Sequence, residues 1–545
     1  MATTSDIKPT ASHDDDAYKQ HEAIVLKSSE DNLTPWQTVR RFKKAVTICT
    51  MLCIAAAADG YQINLNGNII ANTGFVRQVG FPNAQGKYQL KPTHTALWGA
   101  LQSLGQLIAM LGMTPISDKI GRKMTLYALW GILFGSVMIE SFVTNWREWA
   151  GAKLLAGIGV GAIQSTLPIY IAEWSPVNIR GTMTTAYSVW NNIGNFLAPA
   201  ILYAMTKSHP TEYKIPIYTQ WAFLGIMLPI FIWLPETAAY YATKGEDEKG
   251  IATLRRVNGK VPGYDVEAEY QIIKNTVMEE KQLLSDLGLE GQGWRQIWRS
   301  YVECLNKQNF RRTLGAALPS VLQQLTGLAF LSVYSSLFFR ESGFSNAFQI
   351  TSILAGIKIA CVLVNAATTD YIGRRNVVIG LGIGCTFFLL IIGILGQLKK
   401  TSAVKNTLIA MACLWSACNV GLGALGWTYV GEVPAQKLRA RAAGISSAMA
   451  VIFGLTFNTA TPVILQTNGA NWGYNTAWLF FGTGIASVVL AIFYVPETAQ
   501  RNPAELDEMY EKGIPAWKMK RYVTEVQTKN MAGRQGVGAP TLAHA

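Results

Sequence analysis

Asp59 and Lys358 sit inside long apolar stretches of this chain, Cys53–Ile69 and Ile350–Val364. A charge placed in such a run is costly and by default marks a functional position. A carboxylate there can take up and release a proton, and an ammonium there can hold an anion or pair with a carboxylate. A second set of charges recurs. Asp118-Lys-Ile-Gly-Arg122-Lys123 returns as Asp370-Tyr-Ile-Gly-Arg374-Arg375, Glu173 with Arg180 seven residues on returns as Glu432 with Arg439, and Pro235-Glu-Thr237 returns as Pro496-Glu-Thr498. The offsets are 252, 259 and 261 residues, so three motifs keep one order and nearly one spacing. Acids that end one helix, cations that open the next and a Gly-permitted turn between them can form a charge network across the ends of two repeated halves. Such a network can close a gate in one state and open it in the other.

The elements that carry these residues are membrane helices. Half of the 545 residues are apolar and 15% are charged, where a soluble domain carries about 25%. Apolar runs at about 46–70, 94–116, 124–143, 149–171, 182–205 and 217–234 are followed by six more, at about 313–338, 348–367, 376–397, 407–431, 441–465 and 475–495. Each is long enough for a hydrocarbon slab roughly 30 Å thick, which takes about 20 residues of helix. The reading is an all-α polytopic protein: an N-terminal tail (1–45), a six-helix half (46–234), a polar loop with short helices (235–312), a second six-helix half (313–495) and a C-terminal tail (496–545). A soluble enzyme, a coiled coil and a disordered chain are excluded. The parallel repeat of two six-helix halves is that of the major facilitator architecture.

The balance of 47 Lys and Arg against 34 Asp and Glu gives +13. Loops on the cytoplasmic side of a membrane accumulate Lys and Arg, which accounts for that charge without nucleic acid. Positives cluster before the first, third, seventh, ninth and eleventh runs, so both tails and the central loop are expected to be cytoplasmic. The seven cysteines suggest no disulfide framework. In the central loop, Val266, Tyr270, Ile273 and Val277 mark one helical apolar face, and Trp294, Ile297, Trp298, Val302 and Leu305 mark another.

Over roughly residues 45–500 the chain resembles the sugar porter family of the major facilitator superfamily, on the fungal disaccharide and hexose permease branch. The resemblance rests on Gly60-Tyr61, Gly157-Ile-Gly-Val-Gly161, Pro168-x-Tyr170-x-Ala172-Glu173 through Arg180-Gly181, Gln323-Gln324-Leu-Thr-Gly327, Gly421-x-Gly423, Trp427 and Glu432-Val-Pro434. It implies alternating access around a sugar held between the halves, with Gln323, Gln324 and Trp427 at substrate-lining positions. Side-chain amides match sugar hydroxyls, and an aromatic face matches a sugar ring. Departures from the family pattern are Asn195 where Gln is usual, Ala329 where Asn is usual, Ala450-Val451 where Asn-Trp is usual, and Lys358 where a substrate-facing Asn is common. Lys358 either binds a polar or anionic substrate or pairs internally with Asp59. The resemblance also implies an integral plasma-membrane carrier, monomeric among its lipids, without cofactor or metal, and not an enzyme. A sugar acid or other hydroxylated metabolite as substrate, and a non-transporting sensor on the same scaffold, are the alternatives.

Proton-driven relatives carry an Asp directly after Gly-Tyr, facing an Arg in the fourth span. Here those positions hold Gln62 and Lys153. Asp59 lies three residues before Gln62, about 60° away around a helix, and is expected to border the same cavity. Proton symport through Asp59 and uniport both stay open, with static neutralisation of Lys153 or Lys358 as the bland role for Asp59.

Overall fold

A computed structural model describes residues 35–525 apart from 84–85, 177–178, 210, 287–293, 400, 435–438, 500 and 502. Long helices occupy all twelve apolar runs: α1 (Lys43–Ile69), α2 (Pro92–Ile120), α3 (Arg122–Phe142), α4 (Trp146–Trp174), α5 (Arg180–Ser208), α6 (Lys214–Trp233), α7 (Lys307–Leu325), α8 (Ala347–Ile372), α9 (Arg374–Gln397), α10 (Ser402–Glu432), α11 (Arg439–Leu465) and α12 (Thr476–Tyr494). Among the described residues ten of them are long and apolar enough to cross a membrane; α5 and α7 are not among the ten. Their shortfall has a chemical reason. Helix α5 carries Asn191, Asn192 and Asn195, and α7 opens on Lys307, Arg311 and Arg312 and breaks after Leu325.

That break is local. Gly327 adopts φ 91°, a π-helical turn follows at Ala329–Val333, and the helix resumes at Ser335–Glu341. Elsewhere glycine serves the tight turns between helices. Gly121 (φ 97°) joins α2 to α3 and Gly373 (φ 94°) joins α8 to α9, at repeat-related positions. Glycine also lets α1 and α5 cross closely. A Cβ at Gly60 would lie 2.0 Å from the Asn191 carbonyl oxygen, and one at Gly194 2.0 Å from that of Ala57. Close backbone approach at small residues drives helix association where lipid gives no hydrophobic gain.

The halves meet along two seams, α2 beside α11 and α5 beside α8. On the side away from the chain ends, called here the far side, hydrogen bonds stitch them together. Asn458 donates to Ser103 Oγ (3.1 Å), Gln466 to Thr95 Oγ1 (3.2 Å), Asn468 to the Leu90 carbonyl (2.9 Å) and Arg340 to that of Ile70 (3.4 Å). This conformation is therefore closed on the far side. In the connecting segment, Tyr270 is buried and Val266, Ile273 and Val277 pack on the same apolar cluster as Leu254 and Val257. The second expected face differs: Trp298, Val302 and Leu305 are exposed, and the side chains of Trp294 and Ile297 lie outside those described.

Candidate substrate and coupling site

On α1, Asp59 is wholly buried and among the described residues receives neutral donors. Gln164 Nε2 of α4 reaches both oxygens (3.1 and 3.2 Å), Asn191 Nδ2 of α5 reaches Oδ2 at 3.0 Å, and the Tyr187 hydroxyl donates to it at 3.3 Å. A carboxylate only accepts, so each amide that touches it must present nitrogen and turn its oxygen away. Those oxygens accept in turn. Asn195 Nδ2 donates to Asn191 Oδ1 (2.9 Å), Asn64 Nδ2 to Asn195 Oδ1 (2.6 Å) and Asn68 Nδ2 to Asn64 Oδ1 (2.5 Å). On the other flank Gln106 donates to Gln164 (2.6 Å). Two donor chains converge on one carboxylate.

Asp59 does not neutralise Lys153 or Lys358, and no cation lies within ion-pair distance of it among the described residues. Lys153 pairs instead with Glu140, Nζ to Oε1 3.0 Å, with both side chains fully buried. The Glu140 carboxylate also accepts from Gln62 Nε2 (2.6 Å), Ser136 Oγ (3.2 Å) and Gln220 Nε2 (2.8 Å). Gln62 therefore spends its amide on this pair, and it does not share surroundings with Asp59. The 60° offset around α1 is enough to send Asp59 toward α4 and α5, and Gln62 toward α3 and α6. Glu140 is absent from the sequence-derived candidates, although an acid in the apolar run 124–143 is the same signal that singles out Asp59.

In the second half, Gln323 Nε2 of α7 donates to the Asn419 carbonyl of α10 at 3.2 Å, and Asn419 Nδ2 returns a bond to the Gln323 carbonyl at 3.2 Å. Gln323 lies against Gly423, where a Cβ would come within 2.4 Å of its Nε2. Gln324 lies beside Gly454 of α11 and, among the described residues, makes no side-chain hydrogen bond. Trp427 is half-buried with its indole N–H likewise unengaged. Asn195 is half-buried on α5, one residue before Phe196, whose ring lies 3.7 Å from a Cβ built on Gly356 of α8. Lys358 is 6% exposed and donates to Ser332 Oγ at 2.5 Å, in the π-helical turn of α7. Among the described residues it has no ion pair.

The recurring charged motifs assemble as two copies of one device. In the first half, Arg122 pairs with Asp118 (2.9 Å) and Glu173 (3.0 Å), while Glu236 accepts from the backbone N–H groups of Arg122 and Lys123, both at 3.0 Å, and Lys123 Nζ caps the Ile232 carbonyl. In the second half Arg374 pairs with Glu432, Glu497 accepts from the Arg374 N–H at 3.0 Å, and Arg375 caps the Val495 and Ile492 carbonyls (2.6 and 2.7 Å). The Tyr170 hydroxyl donates to the Pro235 carbonyl, as Tyr429 does to Pro496. Each acid sits where backbone N–H groups are free at a helix start. Burial nonetheless pushes the Glu236 carboxyl above its ordinary range. Among the described side chains these pairs join residues of the same half. Arg180 is exposed at the start of α5, and the side chains of Asp370 and Arg439 lie outside those described.

The family profile described as "Sugar (and other) transporter" matches residues 48–510. The low-affinity glucose transporter HXT3 of Saccharomyces cerevisiae is 23% identical over 492 residues, spanning 88% of this chain and 84% of that protein. A low-affinity glucose transporter of Kluyveromyces lactis is 24% identical, over 87% of this chain and 84% of its own length. Among solved structures, the proton:xylose symporter XylE bound to 6-bromo-6-deoxy-D-glucose superposes with a TM-score of 0.65 at 18% identity, covering 86% of this chain and 100% of that one. It has the same all-α polytopic fold.

Proposed function

The chain belongs to the sugar transporter family, and on that premise we propose that it carries a mono- or disaccharide across the plasma membrane by alternating access, coupled to a proton held on Asp59. Both tails and the connecting loop face the cytoplasm, the carrier works as a monomer among its lipids, and the two moving bodies are residues 46–234 and 313–495. The sugar sits between them on Gln323, Gln324, Trp427 and Asn195. Relatives named as glucose transporters and a fold shared with a proton:xylose symporter support the class of cargo.

The observation that carries the coupling is the donor chain from Asn68 through Asn64, Asn195 and Asn191 to Asp59. A sugar hydroxyl that takes Asn195 or Asn64 as its partner withdraws a donor from the chain that ends on Asp59. Occupancy of the sugar site and the charge on Asp59 are thereby linked, and linkage of that kind is reciprocal. Glu140 does not serve, because its carboxylate holds a cation and three further donors. The charges at the helix ends and starts, Asp118, Arg122, Lys123 and Glu173 with Arg180, and Asp370, Arg374, Arg375 and Glu432 with Arg439, form the gating network of the two halves.

The experiment is uptake of labelled glucose and maltose into proteoliposomes with a pH-sensitive dye inside. Sugar should draw protons in with it, and Asp59→Asn should abolish accumulation against a gradient while sparing sugar exchange. Wild type that accumulates nothing and moves no protons refutes coupling and leaves a uniporter.

A further inference from the structure

Lys358 stands near the middle of α8, twelfth of its 26 residues, on the face that α10 covers. One turn before it, the Leu354 carbonyl accepts from Ser416 of α10 (3.1 Å), and seven residues after it Asn365 lies against Gly421, where a Cβ would come within 2.7 Å of the amide nitrogen. The ammonium is thus enclosed by the α7–α8–α10 seam that also holds Gln323, Asn419 and Gly423. The partner it finds among the described residues, the Ser332 hydroxyl, is neutral. An ammonium has three donors, and Ser332 occupies one of them. A buried cation is stable when paired and hydrogen-bonded and costly otherwise. The other deep cation, Lys153, obeys that rule inside the protein. Among the described residues Lys358 has no such acid, which leaves the place of its counter-charge to a bound ligand.

We propose that Lys358 and Ser332 form an anion subsite within the substrate site, and that the preferred cargo is a sugar acid, a polyhydroxylated ring or chain bearing one carboxylate. This rests on the reading of the chain as a sugar carrier with its site between the halves. One ammonium and one hydroxyl match a single carboxylate, with one oxygen on each. A phosphate dianion would leave one charge and several acceptor sites unmet, and a neutral sugar would leave the ammonium uncompensated. The amides along the same seam remain for the hydroxyl groups.

The test is competition in proteoliposomes. Uptake of labelled D-glucose and of labelled D-glucuronate is measured, with unlabelled glucuronate, gluconate, glucose and inorganic phosphate as competitors. A charge-assisted hydrogen bond of the usual strength predicts that wild type takes glucuronate with roughly tenfold or greater preference over glucose. Lys358→Asn should cut that ratio at least about tenfold and Lys358→Arg should retain most of it, with size-exclusion profiles confirming folded protein. Glucose uptake that glucuronate leaves untouched overturns the anion subsite while the sugar-carrier reading stands. Phosphate competing as well as glucuronate overturns the assignment to a sugar acid. An unchanged ratio in Lys358→Asn removes Lys358 from the site, and transport of neither compound overturns both readings.

Discussion

Removing the Lys153 ammonium should destabilise the protein far more than removing it together with its partner. Glu140 Oε1 accepts from Lys153, Gln62 and Ser136, and Oε2 from Gln220. Lys153 Nζ also stands 4.2 Å from the centre of the Trp149 ring. Neither side chain of the pair reaches solvent. Lys153→Met leaves an uncompensated buried carboxylate, a loss of about 3–5 kcal/mol for a pair broken from one side. Glu140→Gln leaves the ammonium on the indole face with an amide and should cost a similar amount. The double variant leaves neutral groups of nearly the same volume, so its loss should fall short of the sum by about 2 kcal/mol or more. The assay is SDS-induced unfolding in mixed micelles, followed by tryptophan fluorescence, for the two single variants and the double. Single losses below about 1 kcal/mol, or strict additivity, would refute the assignment of Glu140 and Lys153 as one mutually dependent pair. Folded Lys153→Met protein should still move protons with substrate, because the pair is separate from Asp59.

Gln324→Ala should weaken binding of the transported compound by about 1–3 kcal/mol, roughly 5- to 150-fold in affinity, because its amide is uncommitted in the empty protein; unchanged affinity would exclude it from the site. Gly60→Val should lower folded yield and melting temperature, since even a Cβ there would lie 2.0 Å from the Asn191 carbonyl oxygen, whereas Gly131→Val, with open space around it, should be tolerated. Outside the membrane, Lys274 (2.5 Å) and then the Tyr270 hydroxyl (2.9 Å) hold the Asp247 carboxyl below its ordinary range. A depressed carboxylate stabilises above its unfolded pKa and loses that contribution as pH falls through the folded one. Hydrogen-exchange protection factors in Val266–Asp286 should therefore fall only on acidification below the usual carboxylate range, and Asp247→Asn should lower them already at neutral pH.

The helices were legible in sequence because a membrane span leaves a run of apolar residues that needs no tertiary context. Of the two helices that fall short by composition, α5 does so through Asn191, Asn192 and Asn195, which join the candidate site, so polarity there thins the signal that marks a span, whereas α7 does so through its charged first turn and early break. The twofold repeat was legible too, and the structure gives it a purpose in the paired helix-start acids Glu236 and Glu497. What the linear sequence did not carry was the direction each side chain takes. Asp59 and Gln62 are three residues apart and belong to different clusters. Lys153 finds Glu140 thirteen residues earlier, across one short turn, where spacing on either helix alone says nothing. Nor did the linear sequence carry which acid each motif cation takes: Arg122 reaches Asp118 and Glu173, and Arg374 reaches Glu432. Short-range partners satisfy a guanidinium without waiting for a particular conformation.

The opposite charges at mid-height of α1 and α8 also fix the electrical bookkeeping of a cycle. With Asp59 ionised and Lys358 protonated the two charges sum to zero, and the Glu140–Lys153 ion pair adds none. Counting these four, which lie within the spans, the empty carrier reorients with no net charge and its return is indifferent to the membrane potential. A neutral sugar accompanied by a proton adds one positive charge per cycle, and a potential then contributes about 2.3 kcal/mol per 100 mV. A sugar acid accompanied by a proton adds none, and such a cargo is driven by the two concentration gradients alone. A current recorded under voltage clamp therefore separates the two classes of cargo: present for one, silent for the other, with the same proton moving in both.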